Sequence, residues 1–117
     1  MAVRTIIFRG KRIDNGEWVE GSYCHAEKLD RSGDEHFIIE YSANGSSHRV
    51  DPDTVGQYTG LKDKNGKRIF ENGYMIIDKQ TYKVLFDNGE YILKNIFNCD
   101  IIQLKNNSNI GGFVDEI

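Results

Sequence analysis

Proline is almost absent from this 117-residue chain: Pro52 is the only one. Cysteine is scarce too, with Cys24 and Cys99 far apart and no CxxC pair. That spacing excludes zinc ribbons and thioredoxin-type redox motifs; of the two readings left, a disulfide or free thiols, buried free thiols in a reducing compartment are expected. No apolar run exceeds four residues. A membrane-spanning helix is thereby excluded, and no membrane partner is expected. The first residues lack the apolar core of a secretory signal, so a cytoplasmic location is expected. No twelve-residue window repeats apolar residues at helical spacing, which argues against an α-helical fold. The hydrophobic share is low, 38%, and the mean hydropathy is −0.55. Six Phe, six Tyr and one Trp, with β-branched residues throughout, still supply a modest core and exclude disorder.

Charge of either sign is never in large excess, but it is unevenly placed. Residues 1–12 carry Arg4, Arg9, Lys11 and Arg12 without an acid. Residues 13–56 carry ten acids against Lys28, Arg31 and Arg49. Residues 57–70 carry Lys62, Lys64, Lys67 and Arg68 against Asp63 alone. The net charge of −3 speaks against a global attraction to nucleic acid or membrane, while leaving a local basic face.

What the chain has in quantity is turns. Asn-Gly occurs at Asn15, Asn44, Asn65, Asn72 and Asn88, and this dipeptide suits type I′ hairpins, whose two central residues need positive φ. Asp14–Trp18 and Asp87–Tyr91 read DNGEW and DNGEY, which reads as the same turn chemistry used twice. Strands are expected at Thr5–Phe8, Trp18–Cys24, Phe37–Tyr41, His48–Val50, Val55–Tyr58, Arg68–Phe70, Tyr74–Asp78, Thr81–Phe86, Glu90–Leu93 and Ile96–Leu104. A charged loop is expected at Glu27–Glu35. Asp51-Pro52-Asp53-Thr54 reads either as a turn or as a helix start capped by Thr54. Hairpins this frequent predict a mainly β, antiparallel fold rather than βαβ units. The tail from Asn106 reads as a loose segment or one that docks on a partner.

Candidate chemistry is thin. Asp63-Lys64-Asn65-Gly66 resembles part of a calcium loop, but with Gly66 at the sharp turn, Leu61 and Asn72 fall where acidic ligands belong, so a hairpin turn is the better reading. Cys24, His25, His36 and His48 match no zinc spacing. Ser46, Ser47 and His48 lack a nucleophile elbow, and Asp51 and Asp53 suit backbone capping. Trp18 reads as core or as an interface anchor. The one candidate binding surface is Tyr58, Lys62, Lys64, Lys67, Arg68 and Phe70, since cations interleaved with aromatics on a β surface can hold phosphates and stack bases. A solvated hairpin tip is the competing reading. No cofactor, metal or catalytic residue is expected.

Two blocks, Phe8–Gly21 (FRGKRIDNGEWVEG) and Val50–Asn72 (VDPDTVGQYTGLKDKNGKRIFEN), resemble the YopX family, small proteins of phages and prophages of Gram-positive bacteria. The resemblance implies a mainly β fold with SH3-like barrel or roll character and supplies no catalytic residues. Gly73 stands where the family usually has Asp, and the tail NIGGFVDEI lacks the family's usual proline. On this reading the chain is one domain with a hairpin-rich subdomain, 1–54, and an SH3-like barrel, 55–117, built from Tyr74–Asp78, Thr81–Phe86, Tyr91–Leu93 and Ile101–Leu104. The expected function is a non-catalytic accessory module that binds a protein partner or itself; a homo-oligomer, most simply a two-fold dimer, is expected, with a host or phage protein as the other candidate partner. Nucleic-acid binding through Lys62–Arg68 is the alternative.

Overall fold

The computed structural model describes residues 6–27, 33–41 and 44–117. Among them the fold is mainly β, with ten strands paired antiparallel and a single-turn 3-10 segment, Ser108–Ile110. No helix among them is long and apolar enough to cross a membrane. The chain divides into two compact units, Met1–Gln57 and Tyr58–Ile117. Thr5 of the first expected strand and most of the expected 27–35 loop lie outside the described residues.

In the first unit, β1 (Phe8–Arg12), β2 (Trp18–Glu27), β3 (Asp34–Glu40) and the leading part of β4 (Ser47–Lys62) are hydrogen-bonded in that order, and β1 pairs back with β4. The four strands therefore close into a ring. Val19, Ile38 and Val50 are buried inside, with Phe8, Tyr23 and Val55 packed against them. So small a ring leaves little room between backbones. A Cβ on Gly21 would lie 2.0 Å from the carbonyl oxygen of Ile39, and one on Gly10 would lie 2.9 Å from Cβ of Val50.

The segment Asp51–Thr54 is neither a chain-reversing turn nor a helix start. It is a bulge inside β4: Lys11 pairs with Asp51 but Arg9 already pairs with Gly56. Proline is tolerated there because a bulged residue owes the ladder no N–H. The hydroxyl of Thr54 accepts the N–H of Lys11 at 2.9 Å and donates to the carbonyl of Asp51 at 2.6 Å. Asp51 accepts the N–H of Asp53 at 3.0 Å. Side-chain oxygens thus complete the backbone pairing that the extra residues interrupt.

In the second unit, the end of β4 forms a hairpin with β5 (Arg68–Phe70). The remaining strands are β6 (Tyr74–Ile77), β7 (Gln80–Asp87), β8 (Glu90–Asn95), β9 (Ile101–Gln103) and β10 (Gly112–Val114). They form a sheet of linear order β10-β6-β7-β8-β9. The closed element of the molecule is therefore in the first unit, whereas the barrel was expected in the second. Met75, Val84, Leu93 and Leu104 are fully buried, and Ile77 and Phe113 nearly so. The tail is not loose. Gly111 packs so closely that a Cβ there would lie 2.5 Å from the Ile77 side chain, and β10 completes the edge of β6 with Phe113 at 4% exposure.

Of the Asn-Gly pairs, Asn88-Gly89 alone has positive φ at both residues, 49° and 81°. At Asn15-Gly16 and Asn65-Gly66 the positive φ belongs to the glycine alone, and at Asn72-Gly73 it belongs to Asn72. The echoed DNGEW and DNGEY segments therefore form different turns. Among the described residues, another turn with two positive φ values, Asp78-Lys79 at 50° and 67°, contains no glycine at all.

The Asp63–Gly66 turn is organised by a buried carboxylate. One oxygen of Asp63 accepts the N–H groups of Asn65 at 2.9 Å and Lys67 at 2.8 Å; the other accepts that of Phe113 at 2.8 Å. Burial pushes this carboxyl up, but the three backbone donors and the nearby Lys67 charge outweigh it and hold it below its ordinary value of 3.8. With both oxygens engaged on backbone amides, the residue acts as a clamp between the turn and β10. Lowering a carboxyl in the folded state adds stability above the ordinary value, and that stability is lost as pH falls through the folded-state value.

Two outcomes follow from this packing. Gly21→Ala should cost roughly 3 kcal/mol, because a rigid carbonyl occupies the added methyl's position; the midpoint of urea unfolding measures it. Asp63→Asn should cost about 1–3 kcal/mol at neutral pH. The gap from wild type should narrow as pH falls below about 4, because protonation then removes the same clamp in the parent. Thermal melts across that range give both values.

Candidate functional site

The six residues expected to form a binding surface separate in the structure. Tyr58 pairs with Phe70 across the β4–β5 hairpin, their rings 5.5 Å apart, and both are buried, at 9% and 3% exposure. Rings buried to this extent have no face for a base. Lys62, Lys64, Lys67 and Arg68 are exposed on the outside and tip of the hairpin. Two of these cations are in use locally. The Lys67 ammonium lies 3.9 Å from Asp115 and 5.4 Å from the centre of the Phe113 ring, and the Arg68 guanidinium lies 5.5 Å from the Tyr58 ring. The ladder register is irregular between Tyr58 and Lys62, and the long cationic side chains keep their heads in water beside rings that are buried, so the interleaved spacing does not present those rings to a ligand.

The cysteines are free but exposed, not buried. Cys24 sits on β2 with its neighbour His25 on the opposite side of the strand, and Cys99 lies in a tight turn at φ 62°. His25 stacks on His36 at 4.6 Å and pairs with Asp34 at 3.0 Å, while the Tyr23 hydroxyl meets Nδ1 of His36 at 2.5 Å. His48 pairs with Glu40 at 3.0 Å. No group of three potential metal ligands occurs among the described residues. Trp18 is half-buried, with the buried Arg9 guanidinium 4.1 Å from its ring centre.

The second unit presents a surface that periodicity had concealed. Strand register places Tyr74, Lys83, Lys94 and Ile101 in one row across β6, β7, β8 and β9. Ile76 and Thr81 form the neighbouring row on the same face. Ile76 and Ile101 are 42% and 59% exposed. Beyond β8 the expected strand Ile96–Leu104 is interrupted by a turn that carries Phe97, at 85% exposure the most exposed large hydrophobic side chain among the described residues. Asn95, itself buried at 3%, builds this turn. Its side-chain Oδ1 accepts the N–H groups of Phe97 at 2.9 Å and Asn98 at 3.2 Å, and its side-chain Nδ2 donates to Gln80 at 2.8 Å. Asn98 in turn accepts the N–H of Asp100 at 2.9 Å, and Ile96 donates to the carbonyl of Thr81 at 3.1 Å. The residues Asn95, Asn98 and Asp100 are the sequence signal for such a turn, because short polar side chains bond backbone groups two positions ahead.

The division of labour in this turn is testable. Asn95→Ala should cost about 1–3 kcal/mol, because it leaves backbone donors and Gln80 without their partner. Phe97→Ala should change stability by less than about 0.5 kcal/mol, as for an exposed surface residue. Denaturant unfolding of the two variants distinguishes the support from the side chain it supports.

A search of curated proteins finds no match to the chain. The model of the YopX family, described as YopX protein, matches residues 7–112, which takes in both units and the Phe97 turn. The chain belongs to the YopX family.

Proposed function

We propose that the chain is a non-catalytic protein-binding module that serves a phage or prophage as an accessory protein in the cytoplasm of its host. The observation that carries this reading is Phe97, an aromatic side chain left 85% exposed on a turn that buried Asn95 holds in place. Aromatic anchors of this kind dominate protein interfaces, and a preorganised turn loses little conformational entropy when it docks. Ile76 and Ile101, also exposed, extend the apolar contact. The phage setting rests on the family and on the two sequence blocks. Nucleic-acid binding through Lys62, Lys64, Lys67 and Arg68 ranks second, since the aromatics needed for base stacking are buried. Of the protein partners, a different molecule is favoured over a second copy, because the tail that might have bridged two copies is folded into the sheet as β10.

The test is affinity capture from phage-infected cells with wild type and Phe97→Ala side by side, each with and without nuclease. A specific protein should survive nuclease and be lost with the variant, whose affinity should fall by roughly thirtyfold, a hot-spot loss of about 2 kcal/mol. Capture that disappears with nuclease, or that is indifferent to Phe97, overturns the reading.

A further inference from the structure

We infer that the face built by Tyr74, Lys83, Lys94 and Ile101 receives an acidic protein segment that also carries apolar side chains. This deepens the binding-module reading and rests on it. Lys83 and Lys94 are direct cross-strand partners on neighbouring strands. Like charges so placed repel, and a sheet gains nothing from them by itself. Neither lysine forms an ion pair among the described residues. The acidic residues of β7 and β8, Asp87 and Glu90, are register partners at the far end of that hairpin, beyond Leu85 and Ile92. An anion from outside the chain is therefore what this pair of lysines complements.

The surroundings indicate what holds the anion. The lysines lie in register between Tyr74 and Ile101, with exposed Ile76 in the next row and Phe97 at 85% exposure on the turn after β8. A few charges set among aromatic and aliphatic side chains is the composition of a protein interface. A nucleic-acid backbone would instead need a track of cations, one per phosphate neutralised. A second copy docked about a two-fold axis would set this face against itself and bring four lysines together, which repulsion opposes.

The probes are a peptide alternating Glu with Leu and Phe, the same peptide with Lys in place of Glu, and an oligothymidylate. Each is titrated into the 15N-labelled full chain. The acidic peptide should shift the amide signals of Lys83, Lys94, Ile101 and Phe97. The double variant Lys83→Glu/Lys94→Glu, its fold verified by the same spectra, should lose about a hundredfold in affinity for the acidic peptide and gain affinity for the basic one. The inference is overturned if the acidic peptide fails to bind or shifts other residues. It is equally overturned if oligothymidylate occupies this face as tightly, or if the double variant binds like wild type. A mass that doubles with concentration in light scattering, and no longer doubles in the double variant, would assign the face to a second copy and overturn a different protein as occupant. Capture from infected cells that depends on Phe97 but not on the lysines would overturn the acidic partner and leave the binding module standing.

Discussion

Every backbone N–H that folding removes from water needs an acceptor, and in this molecule side-chain oxygens supply the acceptors where the strand ladders stop. The strands are short and frequently interrupted, so such places are many. Thr54 accepts the N–H of Lys11 across the bulge of β4. Asp63 accepts three amides from the turn and from β10. Asn95 accepts two amides at the end of β8. These residues join elements that regular pairing alone would leave apart. They also explain how a chain with a 38% hydrophobic share reaches defined turn geometries, since each such bond fixes local backbone at a net gain near 1 kcal/mol, more where the acceptor is charged.

The same constraint connects the fold to the proposed function. A turn tied to a buried asparagine can leave its outermost side chain without intramolecular contacts and still hold it in one place. Phe97 is held in this way, and its side chain contributes almost nothing that folding requires. On the proposed reading, this exposed apolar group is used in binding rather than in packing. The lysine pair on the adjoining face follows the same logic, because folding alone would favour opposite charges at those two positions.

The hairpin with the densest positive charge illustrates the converse. Its aromatics, Tyr58 and Phe70, pack against each other and its cations point outward. Lys67 and Arg68 lie close to the rings of Phe113 and Tyr58, where long cationic side chains cover apolar surface while their heads stay wet. The cluster thus has a structural use whether or not an anion visits it.

The mainly β class, the antiparallel pairing and most turn positions were legible in the sequence, because they depend on local chemistry: period-two alternation, the conformational freedom of glycine, and the side chains of Asn and Asp. Turn type was less legible, since Asp14–Trp18 and Asp87–Tyr91 share their first four residues yet the connections differ in which residues take positive φ. Pro52 read as part of a turn or of a helix start, although an unpaired bulge accepts it within β4. The tail read as loose because its own composition is polar and glycine-rich; what fixes β10 is its ladder to β6 and a hydrogen bond donated by the Phe113 N–H to Asp63, 50 residues away. The candidate site divided in the same manner. Sequence placed Tyr58, Phe70 and the four cations together because they are neighbours in the chain, whereas packing buried the two rings and left the four cations exposed. The face of Tyr74, Lys83, Lys94 and Ile101 was out of reach, because its members come from four strands and only the inter-strand register, set by hydrogen bonds and by which side chains the core accepts, aligns them.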